Sequence, residues 1–301
     1  MEINRLDFHI SYKCKNHCIF CSERNRLARF KDKNLSTQEI KNILLAKKKQ
    51  GFVYVTFTGG EPTLSPSLPF ALKLAKLLGF RTCVTTNGYG FSNADYCKEI
   101  IQHCDEIMLS SHGTSADTYY CLTGNKESYE IFSRALYNIT EECSSGVKKS
   151  LFFMSNTVLT KQNAGEIEEL YSILAKNPYI RQCLLSYPAP EGGAFKNYAD
   201  ISLPLRKAGR IVENAARIIM SAGKIMRLFG FPACYLGKYS ECSNDFFWSP
   251  RATVERSLKN GSIGLKEIIS EQPIRRRHYL GKCLKCKWHG KCGGFFNVPS
   301  R

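Results

Sequence analysis

Three cysteines near the start of the chain are spaced closely enough to hold one metal centre. Cys14, Cys18 and Cys21 stand in the string C-K-N-H-C-I-F-C, directly after an apolar run. An iron–sulfur cube suits this set, because three thiolates hold three of its irons and the fourth iron stays open for a ligand. A structural zinc ion needs four protein ligands, and His17 is the alternative fourth ligand for such a site.

A second group of cysteines lies near the end of the chain. Its members are Cys234, Cys283, Cys286 and Cys292. The chain is long and shows no export signal, so metal ligation is favoured over disulfides. A zinc ribbon, with four cysteines or with His289 in place of one, is one interpretation of this group. Cys242 has no clear partner in the sequence.

A glycine-rich string follows the second predicted strand. It reads Thr58-Gly59-Gly60-Glu61-Pro62. Two glycines allow the backbone to approach a ligand closely, and Glu61 is a candidate partner for an ammonium group. A Gly-rich turn after one strand is common, but here it accompanies a cysteine string at the end of the preceding strand.

These strings are placed by an alternation of short apolar runs and amphipathic stretches. The predicted strands are 6–11, 52–57, 81–86, 106–110, 151–159 and 182–186. The predicted helices are 36–50, 67–78, 93–103, 128–142, 164–176 and 204–222, and Ser36 with Glu39 predicts a capping box. Strand-then-helix order predicts an α/β fold, a partial (β/α)6 barrel with parallel strands. Ligands of such folds gather at the C-terminal ends of the strands.

The composition sets the class of protein. The 301 residues are 43% hydrophobic, which is typical of a globular chain. Their net charge of +17 favours anionic partners. No apolar run is long enough to span a bilayer and the start is polar, so we expect a cytoplasmic protein without a membrane partner. The six remaining cysteines, most of which are expected in the core, are Cys83, Cys97, Cys104, Cys121, Cys143 and Cys183.

The pattern changes near residue 224. Glycine, proline, cysteine and aromatic residues become dense there, and residues 224–301 hold 15 Lys and Arg against 5 Asp and Glu. The sequence therefore predicts a core domain over residues 1–223 and a small cysteine-rich domain over residues 224–301.

Taken together, the cysteine string and the GGEP string resemble the radical S-adenosylmethionine (radical SAM) enzymes. The resemblance implies that Cys14, Cys18 and Cys21 hold a [4Fe–4S] cluster whose open iron chelates S-adenosylmethionine. It also implies that Gly59, Gly60 and Glu61 receive the methionine amino group. The further cofactor contacts implied by position are Phe20, Thr86, Asn87, Ser110 and Asn156. The adenine motif of the sixth strand is not recognisable in residues 184–187, so no contact is assigned there.

The late cysteines resemble the auxiliary-cluster extensions called SPASM and Twitch domains. The resemblance implies a second, auxiliary [4Fe–4S] cluster on Cys234, Cys283, Cys286 and Cys292. Only Gly293, Gly294 and two phenylalanines follow Cys292, where the full SPASM pattern continues with a further cysteine. Four plausible ligands favour one auxiliary cluster, as in the Twitch type.

The function implied is reductive cleavage of S-adenosylmethionine to a 5′-deoxyadenosyl radical, which removes a hydrogen atom from the substrate. We expect that substrate to be a ribosomally synthesised peptide or a compact metabolite, with flavodoxin or ferredoxin as electron donor. His112 and Tyr187, in the loops after the fourth and sixth strands, are candidate substrate contacts. The alternative interpretation, that each is an ordinary loop residue without a role in substrate binding, fits the sequence equally well.

Two alternatives depend on the basic C-terminal segment. One is radical modification of RNA or another polyanion. The other, from a different class, is a non-catalytic metal-cluster protein that binds nucleic acid, although such a protein has no need of Gly59-Gly60-Glu61-Pro62. The run Arg275-Arg276-Arg277 is expected either to line a substrate entrance or to lie on the outer surface.

Overall fold

A computed structural model describes residues 3–271 and 276–298. Within this part of the chain, nine strands form one sheet in the order β7-β6-β5-β4-β3-β2-β1-β8-β9. The strands are β1 (Arg5–Ser11), β2 (Tyr54–Gly59), β3 (Arg81–Thr86), β4 (Glu106–Ser110), β5 (Phe152–Val158), β6 (Ile180–Ser186), β7 (Ile225–Phe229), β8 (Arg251–Lys259) and β9 (Ser262–Ser270). All neighbouring pairs run parallel except β8 and β9, which form an antiparallel hairpin.

Helices connect the parallel strands, as crossovers in a parallel sheet require. They are α1 (Arg24–Phe30), α2 (Thr37–Lys49), α3 (Leu68–Leu77), α4 (Ala94–Ile101), α5 (Ala116–Thr123), α6 (Ser128–Ser144), α7 (Ile167–Lys176), α8 (Gly192–Ile201) and α9 (Leu205–Ser221). The predicted capping box at α2 is present, with the Ser36 hydroxyl accepting from the Glu39 N–H and the Glu39 carboxylate accepting from the Ser36 N–H. The predicted six strands, six helices and parallel barrel are confirmed.

Among the described residues, five strands after residue 224 were not predicted, and three of them extend the main sheet. β7 pairs with β6 at one end of the strand order, and β8 pairs with β1 at the other end. Residues 230–250 connect these two strands and touch β7 through a bridge between Leu228 and Ser243. The proposed division at residue 223/224 stays a prediction. The strands that follow it extend the same sheet, and a further two-stranded pair, Arg277–His278 with Phe295–Phe296, lies beyond them.

Alternation along each strand separates the core from the barrel interior. In β1, Leu6, Phe8 and Ile10 are fully buried against the helices, whereas Arg5 and Asp7 face the interior. Five of the six scattered cysteines are buried, as expected, and Cys121 is exposed. No helix within residues 3–271 and 276–298 is long and apolar enough to cross a membrane.

Candidate functional site

The three early cysteines lie in the loop after β1, where all three line one pocket. Burial raises the pKa of the Cys14 thiol to about 12, and it also raises the pKa of Cys18 and Cys21. A coordinated thiol loses its proton because the metal charge reverses this preference. The donor set is therefore suited to a buried metal centre rather than to free thiolates.

The sulfur atoms of each cysteine group are spread more widely than the ligands of a single zinc ion. Thiolates bound to one zinc at about 2.3 Å lie about 3.8 Å from each other. Among the described residues, the one group of three or more possible ligands whose donor atoms all lie within 4.8 Å of one another is His9, Glu23 and Glu255. No three cysteine sulfurs of the described residues therefore lie as close together as the ligands of one zinc ion.

The Gly59–Gly60 turn is required by the close approach of the cysteine loop. A Cβ atom on Gly59 would lie 2.4 Å from the Ser11 carbonyl oxygen, and one on Gly60 would lie 2.4 Å from the Lys13 carbonyl oxygen. The Gly60 N–H donates to the Ser11 carbonyl oxygen at 2.7 Å, and the Glu61 N–H donates to the Lys13 carbonyl oxygen at 2.8 Å. The turn thus continues the β1–β2 pairing up to the residue before Cys14.

Glu61 connects the ends of β2 and β3. One carboxylate oxygen accepts from the Thr63 N–H and hydroxyl and from the Thr86 hydroxyl, at 2.7 to 3.1 Å. The other oxygen accepts from the Asn87 N–H at 2.7 Å. Burial raises the pKa of Glu61, and these four donors oppose that rise. Glu61 is thus held by donors that fix two strand-end turns, and its pairing with an ammonium group stays a prediction.

Asn87 also reaches the cysteine loop. Its side-chain amide donates to the Cys14 sulfur at 3.5 Å. Hydrogen bonds to thiolate sulfurs tune the potential of iron–sulfur clusters. The turn after β3 and the cysteine loop are therefore in direct contact.

Phe20 and His112 meet edge to face, with ring centroids 4.8 Å apart. His112 is buried, and burial lowers the pKa of its imidazole to about 4, so the ring is neutral near pH 7. Its backbone is held on both sides, because the N–H donates to the Tyr119 hydroxyl and the carbonyl accepts from the Asn163 amide. Within the described residues, Nδ1 of His112 has no hydrogen-bond partner.

Ser110 and Asn156 occupy neighbouring strand ends. They are partners in the β4–β5 register, and the Asn156 amide oxygen accepts from the Ser186 hydroxyl at the end of β6. The sequence placed Ser110 after the fourth strand and Asn156 in the fifth, and the register brings them side by side. This polar row lies at the same edge of the sheet as the cysteine loop.

Two predicted contacts have structural surroundings instead. The Tyr187 ring centre lies 5.3 Å from that of Phe231, and its hydroxyl donates to the Leu203 carbonyl, so these contacts hold the side chain while its role as a substrate contact stays a prediction. Arg277 is buried and pairs with Asp245 at 2.7 Å, so both expected positions for it, a substrate entrance and an outer surface, are wrong.

The rest of the arginine run behaves differently. Arg276 is exposed, and its guanidinium lies 3.6 Å from the Glu191 carboxylate in the loop after β6. Arg275 lies outside the described residues. The run therefore does not act as one charged patch.

The four late cysteines converge. Cys234, Cys283, Cys286 and Cys292 line one pocket, together with Tyr279 and His289. The Cys292 sulfur accepts from the Ala233 N–H at 3.4 Å and from the Gly294 N–H at 3.3 Å. Backbone donors aimed at a sulfur are suited to a thiolate ligand, because they stabilise its negative charge. Cys242 lies elsewhere, with its sulfur 3.7 Å from that of Met220.

Sequence reasoning missed the contacts that α8 makes with the cysteine loop. The Gly193 N–H donates to the Cys21 carbonyl at 2.7 Å, and the Asn197 amide donates to the Ile19 carbonyl at 3.0 Å. A Cβ on Gly192 would lie 2.3 Å from the Ser22 carbonyl oxygen. The available signal was a second Gly-Gly pair directly after the sixth strand.

Comparison with known proteins agrees with this geometry. The Radical SAM superfamily profile matches residues 8–174. The chain is 26% identical to Fe-coproporphyrin III synthase of Methanosarcina barkeri over 288 residues, which are 94% of this chain and 66% of that protein. It is 27% identical to PqqA peptide cyclase of Rhizobium meliloti over 234 residues, which are 76% of this chain and 59% of that protein.

A solved structure shares the fold. The crystal structure of Streptococcus suis SuiB bound to precursor peptide SuiA superposes with a TM-score of 0.65 at 19% identity, covering 97% of this chain and 71% of that one. The chain spans about two thirds or less of the length of the two curated relatives.

The superfamily match covers more than half of the 301 residues and includes the cysteine loop, the Gly59–Gly60 turn and Asn87. Enzymes of this superfamily use a [4Fe–4S] cluster and S-adenosylmethionine. The chain belongs to the Radical SAM superfamily.

Proposed function

We propose that this chain is a radical SAM oxidoreductase that acts on a peptide or a compact metabolite. In this proposal Cys14, Cys18 and Cys21 hold the catalytic cluster. When bound, the cluster and S-adenosylmethionine supply a 5′-deoxyadenosyl radical that removes a hydrogen atom from the substrate. The observation that carries the proposal is the convergence of the three thiols in one pocket, in contact with Asn87.

The cofactor contacts are also proposals. The residues we assign to S-adenosylmethionine are Phe20, Gly59, Gly60, Glu61, Thr86, Asn87, Ser110 and Asn156. Glu61 and Thr86 are positioning residues in this assignment, since their side chains bond to each other and hold the two turns. The backbone of Gly59 and Gly60 lies directly against the Ser11 and Lys13 carbonyl groups, which leaves no room for a side chain between this turn and the cysteine loop. His112 remains a candidate substrate contact because its Nδ1 has no partner in the described part of the chain.

The second part of the proposal is an auxiliary [4Fe–4S] cluster on Cys234, Cys283, Cys286 and Cys292. Support comes from their shared pocket, which is lined entirely by residues between Pro232 and Phe295. This placement also supports a core domain over residues 1–223 and an auxiliary domain over residues 224–301.

The substrate and the electron donor are inferred from relatives. PqqA peptide cyclase carries a peptide in its name, and the SuiB structure holds a precursor peptide. These similarities support a peptide as the first candidate for the substrate. Fe-coproporphyrin III synthase supports a compact metabolite as the second. A small acidic electron carrier such as flavodoxin or ferredoxin suits a chain of net charge +17.

The test compares the triple variant Cys14→Ala, Cys18→Ala, Cys21→Ala with the control Cys121→Ala, which removes an exposed thiol outside both groups. The unmodified protein, reconstituted without oxygen, is expected to hold about eight irons per chain and to form 5′-deoxyadenosine. The triple variant is expected to hold about four irons and to form none. Retained 5′-deoxyadenosine formation in the triple variant would overturn the assignment.

A further inference from the structure

A separate cavity of about 590 Å³ occupies the barrel interior. Its walls are the inward positions of β1 to β7 and residues 244–249, which fill the gap between β7 and β8. The cavity extends from Arg5 at the start of β1 to Thr58, Ser186 and Phe229 at the C-terminal ends of β2, β6 and β7. A space of this size suits a small molecule or one amino-acid side chain of a peptide.

Three arginines line this cavity, and each lies over an aromatic ring. The Arg5 guanidinium lies 3.6 Å from the Tyr54 ring centre, Arg227 lies 3.6 Å from the Phe247 ring, and Arg251 lies 4.4 Å from the Trp248 ring. Stacking holds the plane of a guanidinium while its edge keeps N–H donors available. The arrangement therefore orients arginines without using all of their hydrogen bonds.

In the part of the chain that the structure describes, the acidic groups of the cavity leave two of these three arginines without a carboxylate partner. Asp7 lies 3.6 Å from Arg251, and Glu106 is already paired with Arg81 at 2.6 Å and with the Tyr54 hydroxyl. Among the described residues, no carboxylate lies within 4.0 Å of the guanidinium of Arg5 or Arg227.

Of Arg5 and Arg227, Arg227 has the surroundings that favour an incoming anion more clearly. It is half-buried, burial lowers its pKa, and its guanidinium donates to the neighbouring Met226 carbonyl at 3.3 Å. A desolvated guanidinium without a counter-charge is costly, and an incoming anion removes that cost.

We propose that the barrel cavity binds a carboxylate of the substrate, and that Arg227 is the residue that recognises it. This inference rests on the proposed function and narrows its substrate class. Asp7 faces Arg251 and Glu106 is paired with Arg81, so Arg5 and Arg227 are the two cavity arginines without a carboxylate partner among the described residues. The planar edge of a guanidinium matches a carboxylate, which it can bind through two parallel hydrogen bonds. Because Arg227 lies two residues before the end of β7, a substrate anchored there extends toward the strand ends where Cys14 lies.

The experiment measures binding of two labelled probes to the reconstituted protein by equilibrium dialysis. The probes are N-acetylglutamate α-amide, which carries one carboxylate, and N-acetylglutamine α-amide, its neutral counterpart of the same shape. The variants are Arg227→Gln and Arg227→Lys, with Arg217→Gln, an exposed arginine of α9, as the matched control. Iron content and circular dichroism show whether each variant is folded and loaded.

The acidic probe is expected to bind the unmodified protein more tightly than the neutral probe. Arg227→Gln should weaken the acidic probe about 10- to 100-fold, since a charge-assisted pair is lost. Arg227→Lys should weaken it less, and Arg217→Gln should leave it unchanged. Equal binding of the two probes, no measurable binding, or a folded Arg227→Gln variant that binds like the unmodified protein would overturn the proposal.

Further arms of the experiment identify the source of the carboxylate and separate this inference from the proposed function. A pentapeptide with central glutamate is tested beside the single amino-acid probes, and so is phosphoserine blocked as its N-acetyl α-amide, which carries a phosphate and no carboxylate. Tighter binding of the peptide supports a peptide substrate with an acidic side chain, and tighter binding of phosphoserine overturns the carboxylate assignment. The unmodified protein is also tested for 5′-deoxyadenosine without substrate. Probe binding without 5′-deoxyadenosine contradicts the proposed function alone, and the reverse contradicts this inference alone.

Discussion

A single methyl group at Gly60 is expected to displace the loop that carries Cys14. In Gly60→Ala the new Cβ would lie 2.4 Å from the Lys13 carbonyl oxygen and 3.0 Å from its carbonyl carbon. Since ordinary contacts begin near 3.4 Å, the backbone beside Cys14 must move by about 1 Å. The movement strains the hydrogen bonds from the Gly60 N–H to Ser11 and from the Glu61 N–H to Lys13.

The magnitude follows from these contacts. Overpacking at a site that cannot relax costs about 1–3 kcal/mol of unfolding free energy. A displacement of about 1 Å at a metal ligand also impairs the geometry on which chemistry depends. Gly60→Ala should therefore lower the unfolding free energy by about 1–3 kcal/mol, reduce iron at the early site and reduce 5′-deoxyadenosine formation.

Gly165→Ala is the matched control, because a Cβ at Gly165 meets no atom within 4 Å. Its effect should stay within about 0.5 kcal/mol, as is usual for uncrowded surface positions. The measurements are urea unfolding followed by circular dichroism, iron content after anaerobic reconstitution, and 5′-deoxyadenosine formation. Equal unfolding free energies and equal iron contents in the two variants would refute the reasoning about the glycine turn.

Three further predictions concern other parts of the molecule. Cys234→Ala should lose the auxiliary iron, about four per chain, whereas Cys242→Ala should keep it because Cys242 lies outside the pocket; iron analysis of both variants decides. In the unfolded chain His112 accepts a proton below about pH 6.5, whereas the buried ring does so only near pH 4, so the unfolding free energy should fall as the pH drops between these values. His112→Asn should lessen that fall by about 1–3 kcal/mol, as measured by urea unfolding at pH 7 and pH 4.5. Asp245→Asn should cost about 3–5 kcal/mol in the same assay at pH 7, because it leaves the buried Arg277 charge without its partner, and a loss below about 1 kcal/mol would contradict that pairing.

The barrel was predictable because its signals are local. Each of the six parallel strands is a short apolar run, and the helices between them have amphipathic patterns that one window of sequence contains. β7 and β8 were not predicted because their pairing is not local. β7 adds to β6 after the long helix α9, and β8 adds to β1 from the other end of the chain. The segment between them is rich in Gly, Pro and Cys, which gives no periodic signal.

The site was predictable at the level of residue type and not at the level of role. The spacing of Cys14, Cys18 and Cys21 and the position of Gly59–Gly60 indicated that they belong together. The sequence could not show that Glu61 bonds to Thr63, Thr86 and Asn87, because that depends on how closely two strand-end turns approach. The burial of Arg277 was hidden for a similar reason, since Asp245 lies far from it in the chain.

The cysteine loop is held by its backbone, which leaves its sulfur atoms available. Three elements bond to its peptide groups: the Gly59–Gly60 turn, the end of α5 and the start of α8. The bonds join Gly60 N to Ser11 O, Glu61 N to Lys13 O, His17 N to Thr123 O, Ile19 N to Leu122 O, and Gly193 N to Cys21 O. In the proposed assignment this loop presents three thiols to one metal cluster, so it cannot rely on those side chains to fix its shape. Neighbouring peptide groups fix it instead. Because glycines on both sides of the loop permit that contact, the two Gly-Gly pairs belong to the proposed site through their backbone alone.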